Sequence, residues 1–317
     1  EIIELAASKK SAGKTYGEAV NWVMDSQLNS TISNFVVKEC IPNLNAKLVF
    51  SALDAAVAGE IETNFARAGY FVISNSKNHR FDSDVPLIIP EVNYDHLEII
   101  KNKRGAIVTN PNCSTIGLTL AIKPLFDNFG IESMNVVTMQ AVSGGGYPGV
   151  PSMDILGNIV PFISGEEDKI KTEPLKILGK RNGNNIDYAS LTISAQCNRV
   201  PVVNGHLESV QMSFNVKPEL NEIIDSWNNF SSLPQQLKLP SAPERPIHYF
   251  PEDNLPQPRL NSGLENGMAV SVGRLRECEI FDWKFVVLSH NTIRGAAGGT
   301  ILTAELLKAN GYLEGIG

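Results

Sequence analysis

The run Thr109-Asn110-Pro111-Asn112-Cys113-Ser114-Thr115-Ile116-Gly117-Leu118 joins two kinds of pattern. Before it stand the β-branched residues Ile107, Val108 and Thr109. After it, apolar residues recur at Ile116, Leu118, Leu120, Ala121, Ile122, Leu125, Phe126 and Phe129, and the series closes on Gly130. That recurrence is one face of a helix, and glycine is a common helix stop. A strand therefore turns into a helix here, with Ser114 and Thr115 as capping candidates. Cys113 is expected at or just before the helix N-terminus. Unpaired N–H groups and the positive end of the helix dipole there favour the reactive thiolate. Most intracellular cysteines are small buried hydrophobes instead, so a nucleophilic reading of Cys113 needs support from the rest of the chain.

At 317 residues the chain is long enough for two domains. A net charge of -7 argues against a nucleic-acid binder, while leaving room for a local basic pocket. Cys40, Cys113, Cys197 and Cys278 follow neither a disulfide framework nor a zinc pattern. His79, His96, His206, His248 and His290 show no ligand spacing, so no metal is expected. No apolar run is long enough for a membrane span and no secretory leader is visible. A reducing, cytoplasmic setting is the expectation.

Residues 1–8 read as a strand, followed by Lys9-Lys10-Ser11-Ala12-Gly13-Lys14, a loop whose hydroxyls and ammonium groups could hold a phosphate. Val36-Val37 and Leu48-Val49-Phe50 read as strands. A helix from about Ala55 to Ala68 stops at Gly69, and Tyr70 to Ile73 is a further strand. This alternation predicts a parallel sheet whose ligands sit beyond the strands' carboxyl ends, where Ser8, Ser51 and Ser74 fall. The Pro-punctuated segment from Asp84 to Asn93 is not readily a helix.

Met134 to Val142 alternates as a strand and runs into the glycine loop Ser143-Gly144-Gly145-Gly146-Tyr147-Pro148-Gly149. Glu166 to Leu178 is a charged helix with Ile170, Leu175 and Leu178 as its buried side; acidic residues in a first turn are commonly dipole partners. Leu191 to Cys197 and Ser209 to Val216 alternate as half-buried antiparallel strands do. The turn Asn204-Gly205 puts His206 where a histidine is usually at the surface. Residues 240–262 are Pro-rich and read as a long loop. Met268 to Leu275 and Phe281 to Leu288 are strands, and Ile293 to Asn310 is a helix that opens on small residues.

Asn112-Cys113-Ser114-Thr115, Gln140, the Ser143-to-Gly149 loop, and Arg199 with His206 occur together in one order. This set resembles the aspartate-semialdehyde dehydrogenases. Pro256-Gln257-Pro258-Arg259, Gly267-Met268-Ala269-Val270-Ser271-Val272-Gly273-Arg274 and His290-Asn291-Thr292-Ile293-Arg294-Gly295-Ala296-Ala297-Gly298-Gly299 resemble the archaeal and fungal branch. The likeness runs nearly end to end.

The resemblance implies an α/β fold: a Rossmann-type domain at residues 1–112 with 291–317 returning to it, and an α+β catalytic and dimerisation domain at 113–290 with a mainly antiparallel sheet. It implies Cys113 as acyl-thioester nucleophile, Gln140 as a group orienting the intermediate, and His206 as general acid/base. Arg199 would grip the substrate carboxylate. Glu166 would receive the ammonium and Lys169 the phosphate, with Glu167 leaving the register open. Arg80 and Asn112 would complete the phosphate site. Ser8 and Ser11 would meet the 2′-phosphate of NADP, and Ser51, Leu53, Gly145 and Asn291 would line the rest of the cofactor path. The family's first strand and G-A-T-G-x-V-G turn have no counterpart from Glu1 onward, so Glu1 is expected to open the second strand of the unit.

The implied activity is NADPH-dependent conversion of β-aspartyl phosphate to aspartate 4-semialdehyde, on the route to lysine, threonine and methionine, in a homodimer or homotetramer. One rival is a reductase of an acyl-CoA thioester, such as malonyl-CoA reductase, which has no use for an ammonium partner at Glu166. Another is a non-catalytic relative that has lost its dinucleotide site.

Overall fold

The computed structural model describes residues 1–24 and 26–314, so the last three residues of the expected C-terminal segment lie outside it. Two small parallel arrays come first. Strand β1 (Ala6–Ala7) pairs with β2 (Lys38–Glu39). Strands β3 (Leu48–Ser51), β4 (Phe71–Ser74) and β5 (Ala106–Thr109) form a parallel sheet in that order. The strand expected over residues 1–8 is thus confined to two residues. Val36 makes only an isolated bridge to Thr15, and the pairing strand starts two residues later than the apolar pair suggested.

Helix α1 (Ala55–Arg67) joins β3 to β4, and its N-cap Asp54 accepts the Ala56 N–H at 2.8 Å. The short helix α2 (Pro90–Asn93) does form in the Pro-punctuated segment, because Pro90 occupies the first turn, where no N–H is needed. β5 feeds helix α3 (Cys113–Phe129), which leads from this sheet to the larger one and packs on the latter. Leu118, Leu120, Ile122 and Leu125 on it are each 0 % exposed. Each such burial contributes roughly 1.5–3 kcal/mol, enough to retain Pro124 inside the helix despite the ladder bond it removes.

Beyond α3 lies a six-stranded sheet. Its strands are β6 (Ile131–Gln140), β9 (Thr192–Arg199), β10 (His206–Phe214), β11 (Ile247–Phe250), β12 (Val270–Glu277) and β13 (Trp283–Ser289), in the order β11-β12-β13-β10-β6-β9. The numbers between belong to a hairpin, β7 (Lys180–Asn182) with β8 (Asn185–Asp187). Two features depart from expectation. β9 runs parallel to β6, since helix α4 (Glu166–Ile177) lies in the crossover between them. The Pro-rich 240–262 segment contains β11, an edge strand paired with β12, the place where short Pro-flanked strands survive.

Along β10 burial alternates residue by residue. Val210 and Met212 pack with Leu118 and Ile122 of α3, Ile170 of α4 and Phe285 of β13 in one core. Between β10 and β11 lies helix α5 (Leu220–Asn228), whose Ile223 and Trp227 join this core. After β13 the chain makes a π-helical turn, Ile293–Ala297, and then helix α6 (Gly298–Ala309). Leu302, Leu306 and Leu307 of α6 share a second core with Phe71, Ile73 and Val108 of the three-stranded sheet. The carboxyl end of β5, the start of α3 and the turn before α6 therefore meet at one place.

Candidate active site

Asn112, rather than Ser114 or Thr115, caps α3. Its Oδ1 accepts the N–H groups of Ser114 (3.1 Å) and Thr115 (3.3 Å), and its carbonyl accepts that of Ile116 (3.0 Å). The two hydroxyls expected to cap are buried without partners. Of the first four helical N–H groups, only that of Cys113 has no acceptor within the cap or the helix, and Cys113 faces a cavity of about 640 Å³.

Gln140 ends β6, Arg199 ends β9 opposite it, and His206 begins β10 beside them, so three expected residues share one sheet edge. His206 is fully buried, not on the surface, because β6 and β13 flank it. Its Nε2 lies 3.2 Å from Cys113 Sγ. The Ala141 N–H donates to its Nδ1 at 3.1 Å. A neutral ring accepting there carries its proton on Nε2, pointed at the sulfur. Gly144 closes over this pair: a Cβ there would stand 2.9 Å from an Arg199 nitrogen and 3.0 Å from His206 Cε1.

Burial, with Glu166 adding to it, pushes the Cys113 thiol up to about 12, against the pull of the Ser114 N–H, Arg80 and Lys169. Burial and the Arg199 charge push His206 down to about 3. The expected resting thiolate is therefore replaced by a neutral thiol beside a neutral imidazole. A helix terminus contributes only about 0.3–1 kcal/mol, less than one pKa unit, and desolvation outweighs it.

One face of α4 carries the charges. The Glu166 carboxylate accepts from Asn112 Nδ2 (2.9 and 3.1 Å), Gln140 Nε2 (3.2 Å) and Lys169 Nζ (2.6 Å). Burial would raise its pKa, but these partners outweigh that and hold the carboxyl below its usual range. Glu166 and Lys169 thus pair with each other at the cavity wall. Glu167 turns away to accept the Cys197 N–H at 3.2 Å. Further along the same face, Glu173 accepts from Arg80 (2.7 Å) and from the Asn112 N–H (2.7 Å). Lys176 donates to the carbonyls of Arg80, Asp82 and Val85 at 2.8–2.9 Å.

Leu53, Arg80, Asn112, Gln140, Gly145, Glu166, Lys169, Arg199 and Asn291 line the cavity with Cys113. Ser51 is buried at the end of β3 with an unpartnered Oγ. Ser8 and Ser11 form the turn after β1, joined by an N–H···O bond of 2.9 Å, and do not reach the cavity wall. A larger cavity, about 760 Å³ and rimmed by Lys47, Lys101, Lys103 and Arg104, contains neither cysteine nor histidine.

Comparison with known proteins agrees along the whole chain. A model of the semialdehyde dehydrogenase NAD-binding domain matches residues 1–100, and one of the semialdehyde dehydrogenase dimerisation domain matches residues 122–294. The aspartate-semialdehyde dehydrogenase of Methanothermobacter thermautotrophicus is 47% identical over 317 residues, covering 97% of this chain and 91% of its own. That of Schizosaccharomyces pombe is 48% identical over 328 residues, covering 99% and 92%. The chain belongs to the aspartate-semialdehyde dehydrogenase family. A crystal structure of the Candida albicans aspartate-semialdehyde dehydrogenase with NADP superposes with a TM-score of 0.93 at 44% identity, covering 98% of this chain and 92% of that one.

The chain is thus a member of a family of oxidoreductases, and two residues behind its cavity wall escaped pattern reading: Glu173 and Lys176, which hold Arg80 and Asn112 without lining the cavity themselves. They lie seven and ten residues after Glu166, on its face of α4. That spacing was visible, but the apolar residues Ile170 and Leu178 drew the buried stripe to themselves. Among the described residues no helix is long and apolar enough to cross a membrane.

Proposed function

We infer that this protein reduces β-aspartyl phosphate to aspartate 4-semialdehyde with NADPH, releasing phosphate, through a thioester on Cys113. The observation that carries this reading is a cysteine at a helix start, 3.2 Å from a buried imidazole, in a cavity bordered by Arg80, Lys169 and Arg199. Sulfur suits the task because it is both a nucleophile and a ready leaving group.

Cys113 Sγ attacks the acyl carbon; the S–C bond forms and the C–O bond to phosphate breaks. The thiol proton passes to an oxygen of the departing phosphate, while the His206 Nε2–H donates a hydrogen bond to the sulfur and the free Cys113 N–H is placed for the acyl oxygen. Arg199 gives one N–H to the Ala141 carbonyl (2.7 Å), and its remaining donors grip the substrate carboxylate. Arg80 and Lys169 meet the phosphate. For Glu166 to receive the ammonium, one of its partners must leave, and Lys169, with 25% of its side chain exposed, is the freest to do so. Gln140 orients the acyl group. As the sulfur is expelled again, the His206 Nε2–H steadies it by a hydrogen bond until a proton returns to it from solvent.

The unpartnered Ser51 hydroxyl at a parallel strand's carboxyl end fits a nucleotide there, with Leu53, Gly145 and Asn291 along the same path. NADPH, when bound, supplies the hydride. Ser8 and Ser11 would reach its 2′-phosphate only if that end of the cofactor extends past the cavity wall. Residues 1–112 with 291–317 then form the nucleotide unit and 113–290 the catalytic unit. Exposed Met153, Leu156 and Phe162 support a contact with a second copy, in a cytoplasmic homodimer or homotetramer.

The test is to mix protein and β-aspartyl phosphate without NADPH, quench in acid and map peptides by mass. An aspartyl adduct on the Cys113 peptide and release of one phosphate are expected. No adduct there, or reduction of malonyl-CoA in preference to the acyl phosphate, refutes the assignment.

A further inference from the structure

The turn between β13 and α6 is wound more widely than an α-helix. The Gly295 N–H bonds to the His290 carbonyl at 2.9 Å and the Ala297 N–H to that of Thr292 at 3.1 Å, each five residues back. Such π-turns are rare in helices and concentrate at functional sites. This one abuts Cys113, and Asn291 just ahead of it bonds the residue that precedes His206. A Cβ on Gly295 would stand 2.6 Å from Cys113 Cβ and 3.0 Å from its Cα, so the turn presses its backbone against the nucleophile. Asn110 Nδ2 donates to the Gly295 carbonyl at 3.2 Å, tying the same contact to the chain just before Cys113. Ahead of the turn, Asn291 accepts the Gly205 N–H at 2.9 Å and donates to Ser143 Oγ at 2.8 Å, next to His206 and the glycine loop.

Between Asn291 and Gly295 sits Arg294, with no part in the cavity. It is 0% exposed, and its two terminal nitrogens meet both oxygens of Glu91 on α2, at 2.8 and 2.5 Å. Glu91 is 1% exposed. A fully buried ion pair is a poor way to gain stability, because desolvation consumes most of the attraction and apolar replacements often fold as well. What two fixed charges in a planar fork do provide is a single allowed position.

We propose that Arg294 and Glu91 are positioning residues that latch the π-turn against Cys113, fixing the thiol relative to His206 and to the wall along which the second substrate lies. The proposal rests on the reading of Cys113 as nucleophile. The latch holds the turn from behind, Gly295 transmits the hold to Cys113, and Asn291 transmits it to the strand start that carries His206.

The test compares Glu91→Leu/Arg294→Met with the parent. It uses turnover, thermal unfolding and the rate at which iodoacetamide labels the Cys113 peptide, with Cys113→Ser as the blank. The double variant should unfold at or above the parent temperature. Its kcat should fall about 10²-fold, the effect of a misplacement near 1 Å, with KM for the semialdehyde little changed. Labelling of Cys113 should change by about threefold or more as the wall loosens. A folded double variant with kcat and labelling within about twofold of the parent overturns the latch. If the double variant does not fold, Arg294→Lys decides, because it keeps a charge beside Glu91 and loses the planar fork. A shift in both readouts supports the proposal, and unchanged kcat and labelling overturn it. Activity in Cys113→Ser would defeat the nucleophile reading instead, while the labelling rates would still report the hold of the turn on that side chain.

Discussion

The two walls flanking Cys113 are built on opposite principles. On the α4 side, position is set by charge: Glu166, Lys169, Glu173 and Arg80 form a connected network in which each ion has at least one ionic or amide partner. On the side of the turn before α6, position is set by shape. Gly295 rests on Cys113, Asn291 bridges backbone and hydroxyl, and one ion pair lies behind them. The first wall can exchange partners when an anionic substrate enters, because Lys169 can leave Glu166 without exposing an isolated buried charge. The second has little to exchange and behaves as a fixed stop.

Removing what both walls serve should have the largest effect. Cys113→Ser should leave less than about one-thousandth of the parent turnover with an unchanged unfolding temperature; turnover near normal would mean that neither wall positions a nucleophile. Next comes the charged wall. Glu173→Leu strands the Arg80 guanidinium and the Asn112 N–H, which should cost about 3–5 kcal/mol in urea unfolding. Adding Arg80→Leu should recover much of that stability, though not activity; no recovery would mean that Glu173 acts by some route other than pairing with Arg80.

Smaller still is Arg199→Lys. Loss of the planar fork should lower kcat/KM about 10- to 100-fold, as the loss of a hydrogen bond to a charged group does, and leave stability nearly intact. Unchanged kinetics would remove Arg199 from the substrate site. The subtlest test follows the thiol. Because the Cys113 pKa is raised to about 12, thiolate accumulates only as pH climbs. Alkylation in the substrate-free protein should keep rising across the alkaline range, and a plateau below pH 9 would mean that the cations of the α4 wall outweigh burial.

Elements with strong local patterns were legible from residues alone. The strand-to-helix passage at Cys113, the helix beginning near Ala55 and the alternation on β10 all follow from spacing that each segment carries within itself. Where neighbours decide, local reading fell short. His206 follows a turn, as Asn204-Gly205 indicated, but its burial comes from strands 66 to 83 residues away in sequence. The direction of β9 depends on α4 lying in the crossover, and β11 exists only because β12 offers it an edge. Glu173 looks like one more surface carboxylate of a charged helix until Arg80 and the Asn112 N–H close on it.

The chain's order of residues settled which chemical groups are available and which short segments hold them. It placed a cysteine at the head of a helix, glycines in the loop above it, and arginine and histidine at strand ends. Tertiary structure decided the state of those groups. Desolvation, set by everything packed around a site, made the thiol and the imidazole neutral, and long-range contacts chose which carboxylates pair and which glycine touches sulfur's own residue. Burial and partner choice are sums over distant neighbours, and no local window contains them.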